Sequence, residues 1–376
     1  MKIIGKVLIT VLTIIIILAA LELFLRWRGA LSTDIVRYDK ATGLNTLKPN
    51  SEFKVTNNCY SNTVNVNSQG FHETEFDLAK PDNVFRVVIL GDSFVEARQV
   101  ETQKIWHNIL EQKLNELPDL NKKIEIYAFG LGGNGTYLNY LYLYNYALKY
   151  QPDLIVLAFL PANDFRDDSG YFNKIFDNQG NIKTKLSGSE KLIAKSVLLV
   201  WLDYKWQLAK NNIRYYFGRI FNPQKIAEQL PFDFQVFLKD YPDSWNKVWD
   251  LEEKLILAFK KTAQEHNSKF LIVSLPDIWR SHEDLLKVDA RYGQYAQNPN
   301  LDFEKPEKIL KDFINKENIA YFNLLTPIKE KIQKENQPTF YWPCDAHWNE
   351  TGNLWAAQIL FDFFKEGNGR ELLNNN

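Results

Sequence analysis

The sequence predicts an α/β protein in which helices cover both faces of a parallel sheet, with a separate apolar helix at the N-terminus. Three observations carry this prediction. From residue 84 onward, short apolar runs alternate with longer stretches whose apolar residues recur at helical spacing. One of these runs, Leu154–Phe159, is apolar throughout, as expected for a strand that is buried on both faces. A long apolar segment at the start of the chain predicts the separate helix.

The N-terminal segment Ile3–Leu25 is almost wholly apolar, and as a helix it is long enough to cross the hydrocarbon core of a bilayer. Lys2 and Lys6 precede it, and Arg26 and Arg28 follow it, so the flanking charges leave its orientation open. A cleaved signal peptide is the alternative interpretation. We expect an uncleaved membrane anchor, with the rest of the chain outside the cytoplasm.

Five strands and five helices are predicted in the main domain. The strands are rich in β-branched and aromatic residues, and they are Arg86–Leu90, Ile124–Phe129, Leu154–Phe159, Lys269–Leu275 and Ala320–Leu325. The helices have a helical period of apolar residues, and they are Lys104–Leu117, Tyr137–Tyr150, Trp245–His266, Glu304–Glu317 and Asn349–Lys365. Because strands and helices alternate along the chain, we expect the sheet to be parallel.

Composition divides the chain into successive parts. We expect a transmembrane anchor at 1–28, a polar and irregular linker and lead-in at 29–83, the α/β domain at 84–368 and a disordered tail at 369–376. A helical insertion rich in aromatic residues interrupts the domain at about 165–268. It is interpreted as a lid, a substrate platform, a surface that rests on the membrane or a plain structural excursion.

The composition argues against one class of partner. The 376 residues include 45 Lys+Arg and 46 Asp+Glu, so the net charge gives no support to nucleic-acid binding. Aromatic residues make up 14%, which fits either a sugar- or lipid-facing surface or ordinary core packing. The two cysteines, Cys59 and Cys344, can pair if the domain lies outside the cytoplasm. Such a bridge would brace the loop that begins at Cys344.

A serine stands where the first predicted strand ends, in the tripeptide Gly91-Asp92-Ser93. In open α/β sheets, ligands bind beyond the carboxyl ends of the strands. Ser93 is therefore a candidate nucleophile. The alternative is that Ser93 only caps the helix that follows it.

The next two predicted strands also end in residues suited to a reaction site. The second strand leads into residues 130–135, where four of six residues are glycine, and the third leads into Asn163. Glycine lets a backbone N–H approach a substrate closely. The N–H groups of Ser93 and of a glycine, with the Asn163 amide, are suited to stabilising an oxyanion. Each of these residues, taken singly, is more commonly an ordinary turn residue.

A carboxylate and an imidazole follow the last predicted strand, in Asp345-Ala346-His347. His347 is predicted to take the proton from Ser93 and later return it, and Asp345 to orient the imidazole ring. The alternative for such a pair is a surface loop or half of a metal site. The sequence has no second His/Asp/Glu cluster with ligand spacing, so we expect neither a metal nor a cofactor.

These four blocks, in this order, resemble the SGNH (GDSL-like) hydrolase superfamily over about residues 84–366, apart from the insertion. The resemblance implies a flavodoxin-like three-layer α/β/α fold with a central five-stranded parallel sheet. It also implies a role for each site residue: Ser93 as nucleophile, Asp345 and His347 as its acid and base partners, and Ser93, Gly133 and Asn163 as the oxyanion hole. The segment Asn67–Phe71 is similar to a lead-in of membrane-anchored bacterial members.

The sequence departs from the family pattern at two positions. Only Ala346 separates Asp345 from His347, where many members have two residues, and Ala162 stands where a glycine is usual. The form Asp-x-His-Trp is similar to that of SGNH-like proteins linked to polysaccharide O-acetylation.

The sequence therefore predicts a membrane-anchored, extracytoplasmic serine esterase whose favoured substrate is an O-acetyl ester on cell-envelope carbohydrate. One alternative is an O-acyltransferase that uses the same triad. Another is a non-catalytic envelope protein that binds polysaccharide, and a lipase is a further one. The substrate assignment rests on the family resemblance alone.

Overall fold

The computed structural model describes residues 2–28, 35–161, 163–169, 175–177, 181–185, 193, 195–203, 205–206, 209, 230–281, 293–295, 298–335 and 340–374. The chain folds as two units. The first comprises Met1–Lys48 and Lys185–Gln229, and the second comprises Pro49–Thr184 and Leu230–Asn376. Most of the predicted insertion between residues 204 and 229, and the departure at Ala162, lie outside the described residues.

The first unit contains the apolar N-terminal helix, α1 (Lys2–Trp27). Its 24 residues Ile4–Trp27 form the one helix, within the described part of the chain, that is long and apolar enough to cross a membrane. The unit also has an antiparallel hairpin of β1 (Val36–Asp39) and β2 (Leu44–Leu47) and a short helix, 197–203.

The second unit is built on a five-stranded parallel sheet. Its strands are β5 (Val84–Gly91), β6 (Lys123–Gly130), β7 (Leu154–Phe159), β8 (Lys269–Ser274) and β9 (Ala320–Asn323). They lie in the order β6-β5-β7-β8-β9. Every residue of β5 and β7 is buried, as expected for central strands with helices on both faces. The order along the sheet reverses between β5 and β7, and ligands of such sheets bind at this switch point.

Helices follow each strand and cover the sheet. They are α2 (Ser93–Glu96), α3 (Trp106–Asn115), α4 (Thr136–Tyr142), α5 (Asp164–Ser169), and the helices Phe232–Gln235, Ser244–Glu265, Ile278–Ser281, Lys305–Glu317, Leu325–Glu335, Glu350–Lys365 and Gly367–Leu373. Short 3-10 turns lie at Thr102–Lys104, Leu148–Tyr150 and Gly293–Tyr295. Helix Glu350–Lys365 packs on α3, and helix Ser244–Glu265 packs on α4 and β8. The structure is therefore the α/β/α arrangement that the sequence predicts.

Two small antiparallel hairpins stand outside the central sheet in this unit. One pairs β3 (Glu52–Asn57) with β4 (Tyr60–Asn65), and the other pairs β10 (Tyr341–Trp342) with β11 (Asp345–Trp348). The second hairpin carries the predicted acid and base residues, so its position matters for the site.

All five predicted strands and four of the five predicted helices are confirmed, with ends shifted by at most two residues. The stretch predicted as one helix, Tyr137–Tyr150, is less regular. There α4 ends at Tyr142, and a π-helical turn (Leu143–Ala147) and the 3-10 turn Leu148–Tyr150 continue it.

Two expectations are wrong. Residues 29–83 are not irregular throughout, because 36–65 form the β1–β2 and β3–β4 hairpins. Alternate side chains of β4, among them Asn62 and Val64, point inward and are buried, which fixes the register of that hairpin. The tail at 369–376 is not disordered throughout, since the helix Gly367–Leu373 covers its first half and Leu373 is buried against the domain.

Candidate active site

Ser93 is the first residue of α2 and follows β5 through a sharp turn. Asp92 forms the N-cap of this short helix, because its Oδ1 accepts the N–H of Phe94 at 2.9 Å. Gly91 is needed where the helix turns back on the strand, since a Cβ there would lie 2.3 Å from Cγ2 of Val95. Local sequence thus places the Ser93 hydroxyl at the carboxyl edge of the sheet.

Three buried side chains hold the carbonyl oxygens of α2 from behind. The pairs are Trp106 Nε1 with Phe94 O at 3.0 Å, His107 Nε2 with Val95 O at 3.1 Å, and His72 Nδ1 with Glu96 O at 2.9 Å. Because a carbonyl oxygen only accepts, the imidazole nitrogens in these pairs carry the hydrogen. The last carbonyls of a helix have no partner within it, so these contacts fix a helix of one turn that could not be stable alone.

His347 lies between Ser93 and Asp345. Its Nε2 is 2.8 Å from Ser93 Oγ, and its Nδ1 is 2.5 Å from Asp345 Oδ1. Since a carboxylate oxygen accepts the Nδ1 hydrogen, Nε2 presents its lone pair to the Ser93 hydroxyl. The three side chains form a continuous hydrogen-bonded chain across 254 positions of sequence.

The second carboxylate oxygen of Asp345 is also bound. Oδ2 accepts the hydroxyl of Tyr60 at 2.6 Å and the amide of Gln99 at 3.2 Å. Burial alone raises the pKa of Asp345, but the hydrogen bonds from His347, Tyr60 and Gln99 outweigh it and hold that pKa well below its usual range. Burial and the neighbouring carboxylate raise the pKa of Tyr60 to about 12. Asp345 is therefore ionised and fixed at both oxygens.

A disulfide bridge holds the hairpin that carries these residues. Cys59 and Cys344 are bonded, with Cα atoms 5.9 Å apart, which is the pairing that the two cysteines of the sequence allow. Cys59 lies in the turn of the β3–β4 hairpin directly before Tyr60, and Cys344 lies directly before Asp345. The bridge therefore clamps the acid residue to the tyrosine that hydrogen-bonds it.

Gly133 also lines the cleft, in a loop that needs glycine. Its φ of 83° is in the left-handed region. The preceding residue, Gly132, donates its N–H to Oε2 of Glu96 at 2.8 Å, and this carboxylate is also paired with Arg98 at 2.7 Å. A Cβ at Gly132 would lie 3.0 Å from the same Glu96 oxygen. Glu96, on the nucleophile helix, therefore fixes the loop that presents Gly133.

Asn163 completes the predicted set of residues that line the cleft. Its side-chain amide donates to Oδ2 of Asp92 at 3.1 Å. One of the two amide hydrogens serves this bond, and the other is available to a substrate oxygen. Burial raises the pKa of Asp92, against the hydrogen bonds from Phe94 and Asn163.

The predicted residues surround one cleft of about 470 Å³. Ser93, Gly133, Asn163, Asp345 and His347 all line it. The lining also includes Phe94, Leu160 and Ile278, Asn57 and Trp279, and the paired charges of Arg166 and Asp233. The Arg166 Nη1 lies 2.8 Å from Asp233 Oδ2. The cleft thus offers a mixed polar and aromatic surface beside the serine.

Sequence reasoning missed the residues that support the predicted ones. Tyr60, Gln99 and Glu96 belong to this group, as do the buried histidines His72 and His107. One signal was available for Tyr60, because it follows Cys59 and Asp345 follows Cys344. A bridge between the cysteines brings their neighbours together.

No protein-family model matches the chain, and no curated protein matches it either. Several solved structures are similar to it. An acetyl xylan esterase, AlAXEase, has 15% identity over 74% of this chain and 98% of its own, with a TM-score of 0.39. A protein of Parabacteroides merdae described as a GDSL-like lipase has 12% identity over 75% and 96%, with a TM-score of 0.41. A two-domain esterase active on acetylated mannans, CEX, has 9% identity over 78% and 50%, with a TM-score of 0.40.

Proposed function

We propose that the chain is a serine esterase of the SGNH type, with Ser93 as nucleophile. One observation carries the proposal: Nε2 of His347 is 2.8 Å from the Ser93 hydroxyl while its Nδ1 contacts the ionised Asp345. This is the relation that an activated serine needs, in which a base contacts the nucleophile and a third group orients the base. It occurs at the sheet's switch point, where ligands bind.

The proposed reaction forms an acyl-enzyme. Ser93 Oγ attacks the ester carbonyl while His347 Nε2 takes its proton, and the oxyanion is stabilised by the N–H groups of Ser93 and Gly133 and by the Asn163 amide. The tetrahedral intermediate collapses, and His347 gives the proton to the departing alcohol. Water then repeats the sequence: His347 takes its proton, its oxygen attacks the acyl carbon, and the Ser93 oxygen leaves with that proton. Asp345 stabilises the imidazolium in both halves.

We also propose that this domain lies outside the cytoplasm and that α1 anchors the chain in the membrane. Two observations support this location. The helix Ile4–Trp27 has the length and composition of a membrane span, and the Cys59–Cys344 disulfide is typical of oxidising compartments. The substrate that we favour is an acetyl ester on cell-envelope carbohydrate, which is the substrate class that the sequence resemblance implies.

The test is an assay of the full-length protein in detergent with 4-nitrophenyl acetate, with and without oligosaccharide acceptors. The esterase proposal predicts release of free acetate, and loss of about 10⁴-fold or more of the rate in Ser93→Ala. Acetyl transfer mainly to the oligosaccharide would make the protein an acyltransferase with the same site. A Ser93→Ala variant with unchanged activity, or an inactive wild-type protein, would contradict the proposal and favour a binding role.

A further inference from the structure

The N-terminal helix carries a single acidic residue, Glu22, in its last two turns. An ionised carboxylate in the apolar part of a membrane helix is costly unless it is paired and hydrogen-bonded. The contacts of Glu22 within the first unit are therefore informative.

Both carboxylate oxygens of Glu22 bind the start of helix 197–203. Oε2 accepts the Ser196 hydroxyl at 2.9 Å and the N–H of Leu198 at 2.7 Å, and Oε1 accepts the N–H of Val197 at 3.0 Å. These backbone groups have no partner within their own helix, and a carboxylate placed there also faces the positive end of the helix dipole. Glu22 thus caps a helix that is about 170 residues away in sequence.

Arg26, one turn further along α1, adds to these contacts. We call the hydrogen bonds that Glu22 and Arg26 make to residues 195–198 the lock. Its guanidinium contacts Oε1 of Glu22, with Nε at 2.7 Å, and its Nη2 donates to the carbonyl oxygen of Lys195 at 2.7 Å. The charge of Glu22 is therefore compensated by a neighbour that also binds the same distant segment. The lock consists of an ion pair and hydrogen bonds to charged groups, which are among the stronger interactions available to a protein.

Apolar contacts run beside the lock. Leu25 is 7% exposed and packs against Val197 and Leu198, which are 5% and 6% exposed, with Trp201 partly buried beside them. Most other apolar side chains of α1, such as Ile15 at 55%, are exposed. The last turns of α1 therefore have a protein partner, whereas the rest of the described helix presents apolar side chains for lipid to cover.

A second, exposed side of helix 197–203 is also apolar, together with Trp206 further along the chain. Leu199, Leu202 and Trp206 are 46%, 45% and 65% exposed. Their spacing of three and four residues puts them on one side of a helix. This side adjoins the side of Val197 and Leu198, the buried residues that pack against Leu25 of α1. Nothing among the described residues covers it.

We propose that residues 195–203 and 205–206 form a membrane-interface segment, held to the end of α1 through Glu22, that inserts Leu199, Leu202 and Trp206 at the headgroup–acyl boundary. We infer that lipid covers these three side chains, because the segment is bound to the last turns of α1 and the remaining surface of α1 suits a bilayer core. Tryptophan prefers this boundary. The inference rests on the anchor in the proposed function but not on its esterase chemistry. It also requires that α1 is retained, because cleavage would remove the cap.

The test measures lipid contact at single positions of the full-length protein in liposomes of phosphatidylethanolamine and phosphatidylglycerol. Because Cys59 and Cys344 are bonded to each other, an introduced cysteine can be labelled singly with the fluorophore NBD. The positions are Leu202→Cys in the segment, Ile15→Cys within α1 and the exposed Lys311→Cys in helix Lys305–Glu317. Nitroxide lipids with the quencher near the headgroup or deep in the acyl chain report the depth.

We expect the Ile15 label to be quenched by the deep nitroxide, the Leu202 label by the shallow one and the Lys311 label by neither. Quenching at Ile15 without quenching at Leu202 would overturn the inference and leave the anchor standing, including the case in which protein shields the Leu202 label. Loss of quenching at both positions would overturn the anchor as well. Esterase activity is not a readout, so failure of the chemistry is measured separately.

A second variant tests the lock itself. Glu22→Ala removes the cap, so the docking equilibrium of the segment should shift by about tenfold or more. Quenching at Leu202 should then fall, while quenching at Ile15 stays the same. Glu22→Asp is the matched control, since it keeps the charge with a shorter reach and should give an intermediate result. Unchanged quenching at Leu202 in Glu22→Ala would contradict the proposed lock.

Discussion

The two sides of the cleft are held in place by different means. Ser93 and Gly133 follow β5 and β6, whose buried residues belong to the central sheet, and backbone-directed contacts such as Trp106 to Phe94 fix the nucleophile helix. The acid and base residues lie on β10–β11, a two-stranded hairpin outside that sheet. That hairpin is tied down by a disulfide and by side-chain hydrogen bonds from Tyr60 and Gln99.

This difference indicates that the two sides should respond to different perturbations. The nucleophile side is part of the domain core, so its geometry should persist until the domain unfolds. The acid–base hairpin is anchored in the core by the buried side chains of Tyr341 and Trp348. Its turn, which carries Asp345, is held by long-range hydrogen bonds and by one covalent bond. It should therefore be possible to loosen the acid–base side while the sheet remains intact.

The largest effect is expected from removing either end of the hydrogen-bonded chain. Ser93→Ala and His347→Ala should each lower kcat by about 10⁴-fold or more, because nucleophile and base act as a unit. The double variant should be no worse than either single one. Additive losses, measured by initial rates on 4-nitrophenyl acetate, would show that the two residues do not act together.

The next largest effect should separate the two sides. In Cys59→Ser/Cys344→Ser, loss of the bridge should reduce the free energy of unfolding by about 2–5 kcal/mol. Activity should fall even under conditions where the domain remains folded, because Asp345 loses its fixed position. Equilibrium denaturation and kcat measured on the same samples test this. Full activity in the folded Cys59→Ser/Cys344→Ser protein would show that the disulfide has no role in the reaction.

A third variant addresses the nucleophile side. Glu96→Ala leaves the N–H of Gly132 without its acceptor, so the oxyanion loop should loosen and kcat should fall by about a hundredfold with little change in KM. Glu96→Gln keeps an acceptor oxygen and is the matched control, with a smaller loss. Equal kcat values for Glu96→Ala and wild type would show that Glu96 does not position this loop.

A smaller effect is expected from the hydroxyl of Tyr60. Tyr60→Phe removes one hydrogen bond to Asp345 but leaves that of Gln99, so kcat should fall by about tenfold while KM is unchanged. Tyr140→Phe is the matched control, because its buried hydroxyl pairs with Thr262 away from the cleft. The same loss of kcat in both variants would indicate a general effect on stability.

The last effect concerns the pH dependence of stability on the core side, not the rate of the reaction. Burial raises the pKa of Glu111 from 4.5 to about 7, although its Oε2 accepts the N–H of Ile126 in β6. A carboxyl whose pKa is higher in the folded state contributes stability below pH 4.5 that is lost as the pH rises to 7. Glu111→Gln should abolish this loss, which amounts to at most about 3 kcal/mol.

Chemical denaturation at pH 5 and pH 8 measures this change. The wild-type protein should lose more stability between the two values than Glu111→Gln does. An identical pH dependence in both proteins would contradict the assignment. Together with the cysteine variant, the result would show that the stability of the core side depends on pH and that the geometry of the acid–base side depends on the disulfide.

The central sheet could be predicted from the sequence because each of its strands has a clear local pattern. Runs such as Leu154–Phe159 are apolar throughout, and the helices between them have clear periodicity. The predicted site residues followed from the same sheet, since parallel strands bring their carboxyl ends to one edge. Ser93, Gly133 and Asn163 could therefore be grouped into one site from their positions at the strand ends.

The β3–β4 hairpin was missed because nothing in its local pattern requires it. Its strands mix a few apolar residues, such as Phe53 and Val64, with polar ones such as Lys54 and Thr63, and one face is solvent-exposed. The contacts that give it a role join residues 285 positions apart, Cys59 to Cys344 and Tyr60 to Asp345. Such contacts depend on the completed fold, and periodicity along the chain carries no information about them.

The most direct test of the account is to find which residue reacts with a fluorophosphonate. The full-length protein is treated with the probe, digested and mapped by mass spectrometry, alongside His347→Ala and Ser93→Ala. We expect a single adduct on Ser93. Its formation should be strongly slowed in His347→Ala, because the hydroxyl is no longer activated, and it should be absent in Ser93→Ala. An adduct on another serine, or equal labelling of Ser93 with and without His347, would contradict it.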